Sequence, residues 1–353
     1  MVKILDRYIF FKVFKYFILS FVVLIAIFLL ADFVSKVDLI SKGYTKEVFF
    51  LVFSRLPLYA VRMLPIATLV GVMVAVSELS STNELVAIKS LGVSIYRVSV
   101  SIFIFSCFVA FSSFLIIEFL LPSGASLERE LLRNMGKRAS TYVVTSEIWG
   151  KVDNRFFSVQ QLDITKGEGK NFSLIKLDRN FVPVFRVDAL GIRYEGNGLW
   201  KLISVYERNL VSEASVFKKR ETLNLGVSVE DLRTYFVDPA TMELFSLVKL
   251  IHNLRMLGYN TVIYEVEVYA KIAMALIPIV VAVLGIPLGA YNPRNQKGYT
   301  IILAVSFIVV MWVTISFFAN LGKSGILPPF YAAFAPEFIF LAVGLILYSR
   351  THT

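Results

Sequence analysis

Six runs of roughly 20 mostly apolar residues dominate the chain, at about 16–34, 55–77, 98–121, 268–290, 300–320 and 330–349. Runs of that length match the hydrocarbon thickness of a bilayer, where a helix satisfies its own backbone within one segment. The composition agrees. Of the 353 residues 57% are hydrophobic and only 18% are charged, against about a quarter charged in soluble domains. The surplus apolar content is assigned to lipid rather than to an oversized core, and the chain reads as an integral membrane protein. The second run is the least regular, since Arg55 and Arg62 interrupt it and Pro57 and Pro65 are expected to kink it. The first run has no small-residue cleavage site at its end and is read as a retained span.

The formal net charge is +10. In a soluble domain that balance would suggest nucleic acid, but here the basic residues flank apolar runs, so anionic lipid is the expected contact and no nucleic-acid partner is implied. Lys3, Arg7, Lys12 and Lys15 oppose only Asp6 at the amino end. Lys89 and Arg97 follow the second run, Arg294 and Lys297 the fourth, and Arg350 the sixth. With six spans all of these fall on one side, which the positive-inside rule makes cytoplasmic. The single Cys107 excludes a disulfide within the chain and leaves the compartment open.

About 140 residues of different character separate the third run from the fourth. Turn signals recur at 152–155, 166–170, 177–180 and 195–198, between short stretches rich in β-branched and aromatic residues. In TLNLGVSV (222–229), Leu223, Leu225, Val227 and Val229 alternate with small or polar residues, as in a half-buried strand. Several short strands at this spacing suggest a sandwich or jelly roll. The expected fold is thus an α-helical integral membrane protein with six transmembrane helices and an inserted all-β, jelly-roll-like domain. Its expected divisions are 1–121, 122–265 and 266–353, with a helix before the fourth span leading back to the membrane.

Residues 81–97 read STNELVAIKSLGVSIYR. Ser81 followed three residues later by Glu84 has the pattern of a capping box. Leu85, Ile88 and Leu91 recur at helical spacing, and Gly92 supplies a stop. The predicted helix, about 82–91, is roughly 15 Å long and too short to span. Two readings stand: a helix lying on the bilayer, or a coupling helix that docks in a groove of a soluble partner. A lipid-lying helix usually has a strongly basic polar face. This one has one Lys against one Glu, which favours a protein partner.

The sequence also resembles the LptF/LptG permease family, the membrane half of the ABC exporter that extracts lipopolysaccharide. The resemblance rests on LDRYIFFKVFKYF at the start, MLPIATLVGVMVAVSELSSTNELVAIKSLGVS across the second span and its loop, and LPSG after the third. GYNTVIYEVEVYAKIA, PLGAYNPR and GILPP follow in order around the later spans. LDRYI, ELVAIKSLG and YEVEVYAKIA look closer to LptG, whereas PLGAYNPR looks at least as close to LptF. The resemblance implies a bacterial inner-membrane location with both termini cytoplasmic and the β domain periplasmic. It implies no cofactor on this chain, with ATP used by a cytoplasmic LptB-like ATPase dimer, and an LptF-like sister permease. LptC-like and LptA-like bridge proteins would receive the lipopolysaccharide. The loop helix would meet the ATPase through Glu84, Leu85, Ala87, Ile88, Leu91 and Gly92.

Ionisable residues at membrane depth are costly and point to function when they face a cavity. Arg55 and Arg62 lie in or beside the second span, while Lys36, Lys42, Arg129, Arg133 and Lys271 lie close to outer span ends. Each alone reads as an ordinary snorkelling anchor. Clustered, they would form the basic rim that the resemblance implies for lipid phosphates, with Leu223, Leu225, Val227 and Val229 covering acyl chains or simply filling the domain core. One departure stands out. LptG-type relatives place a Lys before FV where this chain has Asp32, and Lys36 one turn later is the expected substitute. Glu118 and Glu337, near outer span ends, are expected to pair with neighbouring basic residues. GIPLG (285–289) has the spacing of close helix approach, although Pro287 makes a bend equally plausible.

Other classes fit less well. The only histidines are His252 and His352, there is no HExxH or GxSxG, and GKS at 322–324 has Phe317 where a phosphate loop needs Gly. A membrane enzyme is therefore disfavoured, and so is a secondary transporter, for want of matched broken helices. An ABC-linked protein that transmits force to an external domain, or an exporter subunit for another lipid or lipoprotein, remains the alternative.

Overall fold

In a computed structural model of the chain, residues 2–135, 143–144, 148–152, 155–163, 167–178, 182–212, 214–225, 238–256, 260–290 and 297–350 are described. Among the described residues six helices are long and apolar enough to cross a membrane: Ile4–Val34, Leu56–Ser81, Tyr96–Leu132, Val262–Ala290, Thr300–Lys323 and Pro329–Arg350. These are the six expected runs. In chain order, α1 is Val2–Val34, followed by the short α2 (Val37–Ile40) and α3 (Thr45–Ser54). Next come α4 (Leu56–Ser81), α5 (Glu84–Ser90) and α6 (Ile95–Leu115). A π-helical turn at Ile116–Leu120 joins α6 to α7 (Leu121–Asn134), so the helix runs beyond the third apolar stretch, through Pro122 and Gly124. After the sheet come α8 (Leu244–Met256), α9 (Val262–Ala290), α10 (Lys297–Lys323) and α11 (Pro329–Arg350).

The chain forms two compact units, residues 1–131, 239–251 and 261–353 in one, 132–238 and 252–260 in the other. Within the first, α4 and α9 are the buried spans, whereas α1 and α10 leave most of their surface open. Helix α4 packs against α1 and α9, and α9 packs against α6 and α11. Pro57 stands in the first turn of α4, where its missing N–H costs no helical hydrogen bond. Arg55 precedes the helix instead of interrupting it. Lipid tails are as apolar as leucine, so spans associate through close packing. A Cβ on Gly71 would lie 2.8 Å from the Phe17 backbone of α1. One on Gly285 would lie 2.9 Å from Val72, and one on Gly289 2.7 Å from the Met73 carbonyl, both on α4. The small residues of GIPLG therefore serve contact within the chain.

Among the described residues the second unit holds an antiparallel sheet of seven strands: β1 (Val143–Val144), β2 (Ile148–Val152), β3 (Arg155–Asp163), β4 (Glu168–Leu177), β5 (Pro183–Gly196), β6 (Leu199–Asn209) and β7 (Ser215–Asn224). Both β1 and β2 pair with β3, and β3 to β7 are neighbours in sequence order. Asn197 and Gly198 turn β5 into β6 with φ of 50° and 74°, the left-handed pair that a two-residue hairpin requires. Phe172, Leu174, Val187, Trp200, Leu202 and Val205 fill one face, joined by Leu225 and, partly buried, Leu223. Those two leucines thus belong to the sheet core, and the strand read at 222–229 begins earlier, at Ser215. Val227 and Val229 lie outside the described residues.

Enlarging Gly289 to valine should push α9 off α4 and cost about 1–3 kcal/mol. Its melting temperature in detergent should fall well below that of Gly191→Val, a strand site where an added Cβ would meet nothing nearer than 3.7 Å. Equal melting of the two variants would contradict the packing described.

Candidate functional site

The loop helix is shorter than its pattern predicts, seven residues from Glu84 to Ser90. The expected capping box does not form. Ser81 ends α4 and its hydroxyl donates to the Glu78 carbonyl (3.1 Å), while Asn83, at φ 60°, holds the cap position without a side-chain bond. Gly92 does stop the helix. At φ 77° it donates to the Lys89 carbonyl (2.9 Å) and Val93 donates to that of Ile88 (3.2 Å), a Schellman ending.

The carboxylate of Glu84 is free of the local cap because α1 claims it. The Tyr8 hydroxyl donates to it at 2.8 Å, Thr82 at 2.9 Å and the Lys12 ammonium at 3.2 Å. Lys12 also lies 3.5 Å from Glu78, which the Tyr16 hydroxyl reaches as well. Tyr8, Lys12 and Tyr16 are spaced four apart on one face of α1 and fasten the end of α4 and the start of α5. Asp6 continues the fastening by accepting from Arg97 (2.6 Å) and Ser101 (2.9 Å) of α6. Burial alone would raise the Glu84 carboxyl, but the three donors and the Lys12 charge outweigh it and hold it below its ordinary 4.5. Because the folded value is the lower one, the tether is fully formed above the ordinary carboxylate range and is lost as pH falls through the folded value.

Sequence pattern mistook the direction of the apolar stripe. Leu85 is 8% exposed in a cluster with Ile9, Val13, Leu79 and Val98, and Ile88 packs against the same cluster. The side chains left outward are Val86 and Leu91, 62% and 71% exposed, with Ala87 and Lys89 between them. Leu85 and Ile88 bind α5 to its own bundle. Tyr8, Lys12 and Tyr16 were missed as partners because the basic residues of the amino end were read for orientation alone.

The basic residues do not act as one set. Lys36 is buried and pairs with Asp32 one turn earlier, so it does not replace the missing cation as a free group. Arg55 reaches Asp32 at 3.1 Å and, through Nε, Glu128 of α7 at 2.8 Å. Lys271 is buried and donates to the carbonyls of Ala240 and Met242 at 2.7 Å each. Lys42 and Arg62 are exposed and Arg129 is half-buried, and none of the three makes an ion pair among the described residues. Arg133 stands in the last turn of α7, and its side chain lies outside the described residues. Glu118 pairs with no cation among the described residues; it accepts from the Leu244 amide (2.9 Å), one of the free donors at the start of α8. Glu337 is buried on α11, also without an ion pair among the described residues.

Comparison with known proteins places these features in a family. A family model described as lipopolysaccharide export system permease LptF/LptG matches residues 7–350. An uncharacterized protein of Aquifex aeolicus is 22% identical over 246 residues, 65% of each chain, so the match spans just under two thirds of that relative. Lipopolysaccharide export system permease protein LptG of Escherichia coli K12 is 20% identical over 294 residues, 81% of each chain. That of Haemophilus influenzae is 19% identical over 356 residues, 99% of each.

Replacing Lys12 with Met removes a charged donor from Glu78 and Glu84 together. Amide exchange across 84–90 should rise roughly tenfold, while α9 keeps its protection. Unchanged exchange in α5 would show that the tether contributes nothing.

Proposed function

Because the chain belongs to the LptF/LptG family of lipopolysaccharide export permeases, we propose that it is one permease of a transporter lifting lipopolysaccharide out of the bacterial inner membrane. Two of the three relatives named above carry the LptG name, so we place it on the LptG side, beside an LptF-like sister. In this reading both termini and α5 are cytoplasmic and the β domain is periplasmic. An LptB-like ATPase dimer supplies the energy, and LptC-like and LptA-like proteins receive the lipid. The permease itself performs no chemistry.

The observation that supports this best is α5. A seven-residue helix between two spans shows Val86 and Leu91 outward, while Leu85, Tyr8 and Lys12 fasten it behind. A partner pressing on the outer side would move α1 and α4 with it, because the ionic and apolar contacts behind leave α5 little independent play. Small, bistable shifts of packed helices are how such pushes become larger movements.

Lipid phosphate calls for cations not already neutralised, since freeing a paired arginine leaves its carboxylates unpaired. Lys42, Arg62 and Arg129 meet that condition; Lys36, Arg55 and Lys271 support the fold around them. Apolar span surfaces would take the acyl chains.

Two measurements check this reading. Val86→Asp combined with Leu91→Asp should abolish co-purification of an ATPase from the native membrane without lowering the melting temperature. Leu85→Asp should lower the melting temperature itself. Recovery of lipopolysaccharide with the detergent-purified chain should fall several-fold in Arg62→Gln/Arg129→Gln. Wild-type recovery in that variant would remove the phosphate assignment.

A further inference from the structure

The amino end of α1 carries an open groove of about 750 Å³ that the export reading leaves without a role. Arg7, Lys12 and Lys15 line it with Tyr8 and Phe11, against the single carboxylate of Glu78. Lys12 is engaged by Glu78 and Glu84. Arg7 and Lys15 are exposed and have no carboxylate partner among the described residues. Each lies by an aromatic ring, Arg7 5.8 Å from the centre of Phe11 and Lys15 5.7 Å from that of Tyr16. The groove therefore presents two free cations between aromatic walls.

Its position along the helix says what kind of anion fits. Helix α1 has 33 residues, about 50 Å at 1.5 Å per residue, against about 30 Å of hydrocarbon. The apolar run begins near Tyr16, so Lys15 stands at headgroup level, where tyrosines and basic side chains collect, and Arg7, about 12 Å further along the helix, stands at its outer edge. Ile4, Tyr8, Phe11 and Lys15 form one exposed stripe at spacings of three and four. The same stripe continues at those spacings into Leu19, Val22 and Ala26, all exposed. A cationic groove that opens without a break onto an exposed apolar stripe matches a phospholipid from end to end.

We propose that this groove binds the headgroup of an anionic phospholipid. Its phosphate lies between Arg7 and Lys15, its glycerol passes over Phe11, and one acyl chain runs along Leu19, Val22 and Ala26. Tyr8 lines the groove and donates to Glu84, so the bound headgroup rests against the tether of α5. That the leaflet is the cytoplasmic one rests on the orientation proposed above; headgroup binding does not.

The test uses the full chain in detergent and native mass spectrometry, with phosphatidylglycerol, phosphatidylcholine and water-soluble glycerol phosphate as probes. It needs neither an ATPase nor lipopolysaccharide, so its outcome is separate from that of the export reading. Phosphatidylglycerol should be retained over phosphatidylcholine. Arg7→Gln/Lys15→Gln should weaken it roughly 25-fold, about fivefold for each basic side chain. Lys176→Gln/Lys219→Gln, which removes the same charge from the sheet domain, should retain it, and so should the charge-preserving Arg7→Lys/Lys15→Arg. Equal retention of the two lipids, or unaltered retention in Arg7→Gln/Lys15→Gln, would overturn the proposal. Glycerol phosphate binding as tightly as the lipid would make this a site for free anions and overturn it too. So would exclusion of the lipid by a protein partner covering the groove in the assembled complex.

Discussion

A charge buried among membrane helices is costly unless partnered, and most polar contacts of this helical unit answer that cost, Glu337 having no ion pair among the described residues. Lys12 answers Glu78 and Glu84 at one end of the bundle. Asp32 answers Lys36 and Arg55 near the other, where Arg55 also takes Glu128. Lys271 finds carbonyls and Glu118 finds a free helix amide. These contacts lie toward the ends of the spans. Between them the helices meet through shape alone, with Gly71, Gly285 and Gly289 letting backbones approach.

That division of labour gives the unit its mechanical character. In the middle the helices interlock closely, and the ionic contacts at the ends join particular helices to one another. At the amino end α1, α4, α5 and α6 are joined through Asp6, Tyr8, Lys12 and Glu84. Helix α5 is thus bonded to the first span directly and to the third only through Asp6 of the first. At the far end Arg55 ties the end of α1 to α7, so displacement of α1 has a route along its length.

The six spans were legible because bilayer thickness leaves a signature long enough to survive any local irregularity. The sheet domain was legible in its turns, Asn197-Gly198 above all, since positive φ at both positions admits few residues. What failed was every inference needing the partner of a charge. Ser81 and Glu84 carry the local cap pattern, but Glu84 bonds to Tyr8 and Lys12, 76 and 72 residues away. Arg55 meets Glu128 across 73 residues. Asp32 and Lys36, four apart on a helix, were an exception that spacing alone would have revealed. The stripe Leu85, Ile88 and Leu91 shows a related limit. Periodicity identifies an apolar face, yet it does not say whether that face meets the parent bundle, and here Leu85 and Ile88 do while Leu91 is left exposed.

Helix α5 is gripped from behind by its own chain, and the proposed function has a partner meet it from the front. A photoreactive side chain placed singly at Leu85, Ile88, Val86 and Leu91, and activated in native membranes, tests it most directly. The account predicts crosslinks from positions 86 and 91 to a soluble ATPase, and from 85 and 88 only within the chain. Crosslinks from 86 and 91 to lipid alone would contradict it, and α5 would then be a surface element of the membrane rather than the transporter's point of coupling.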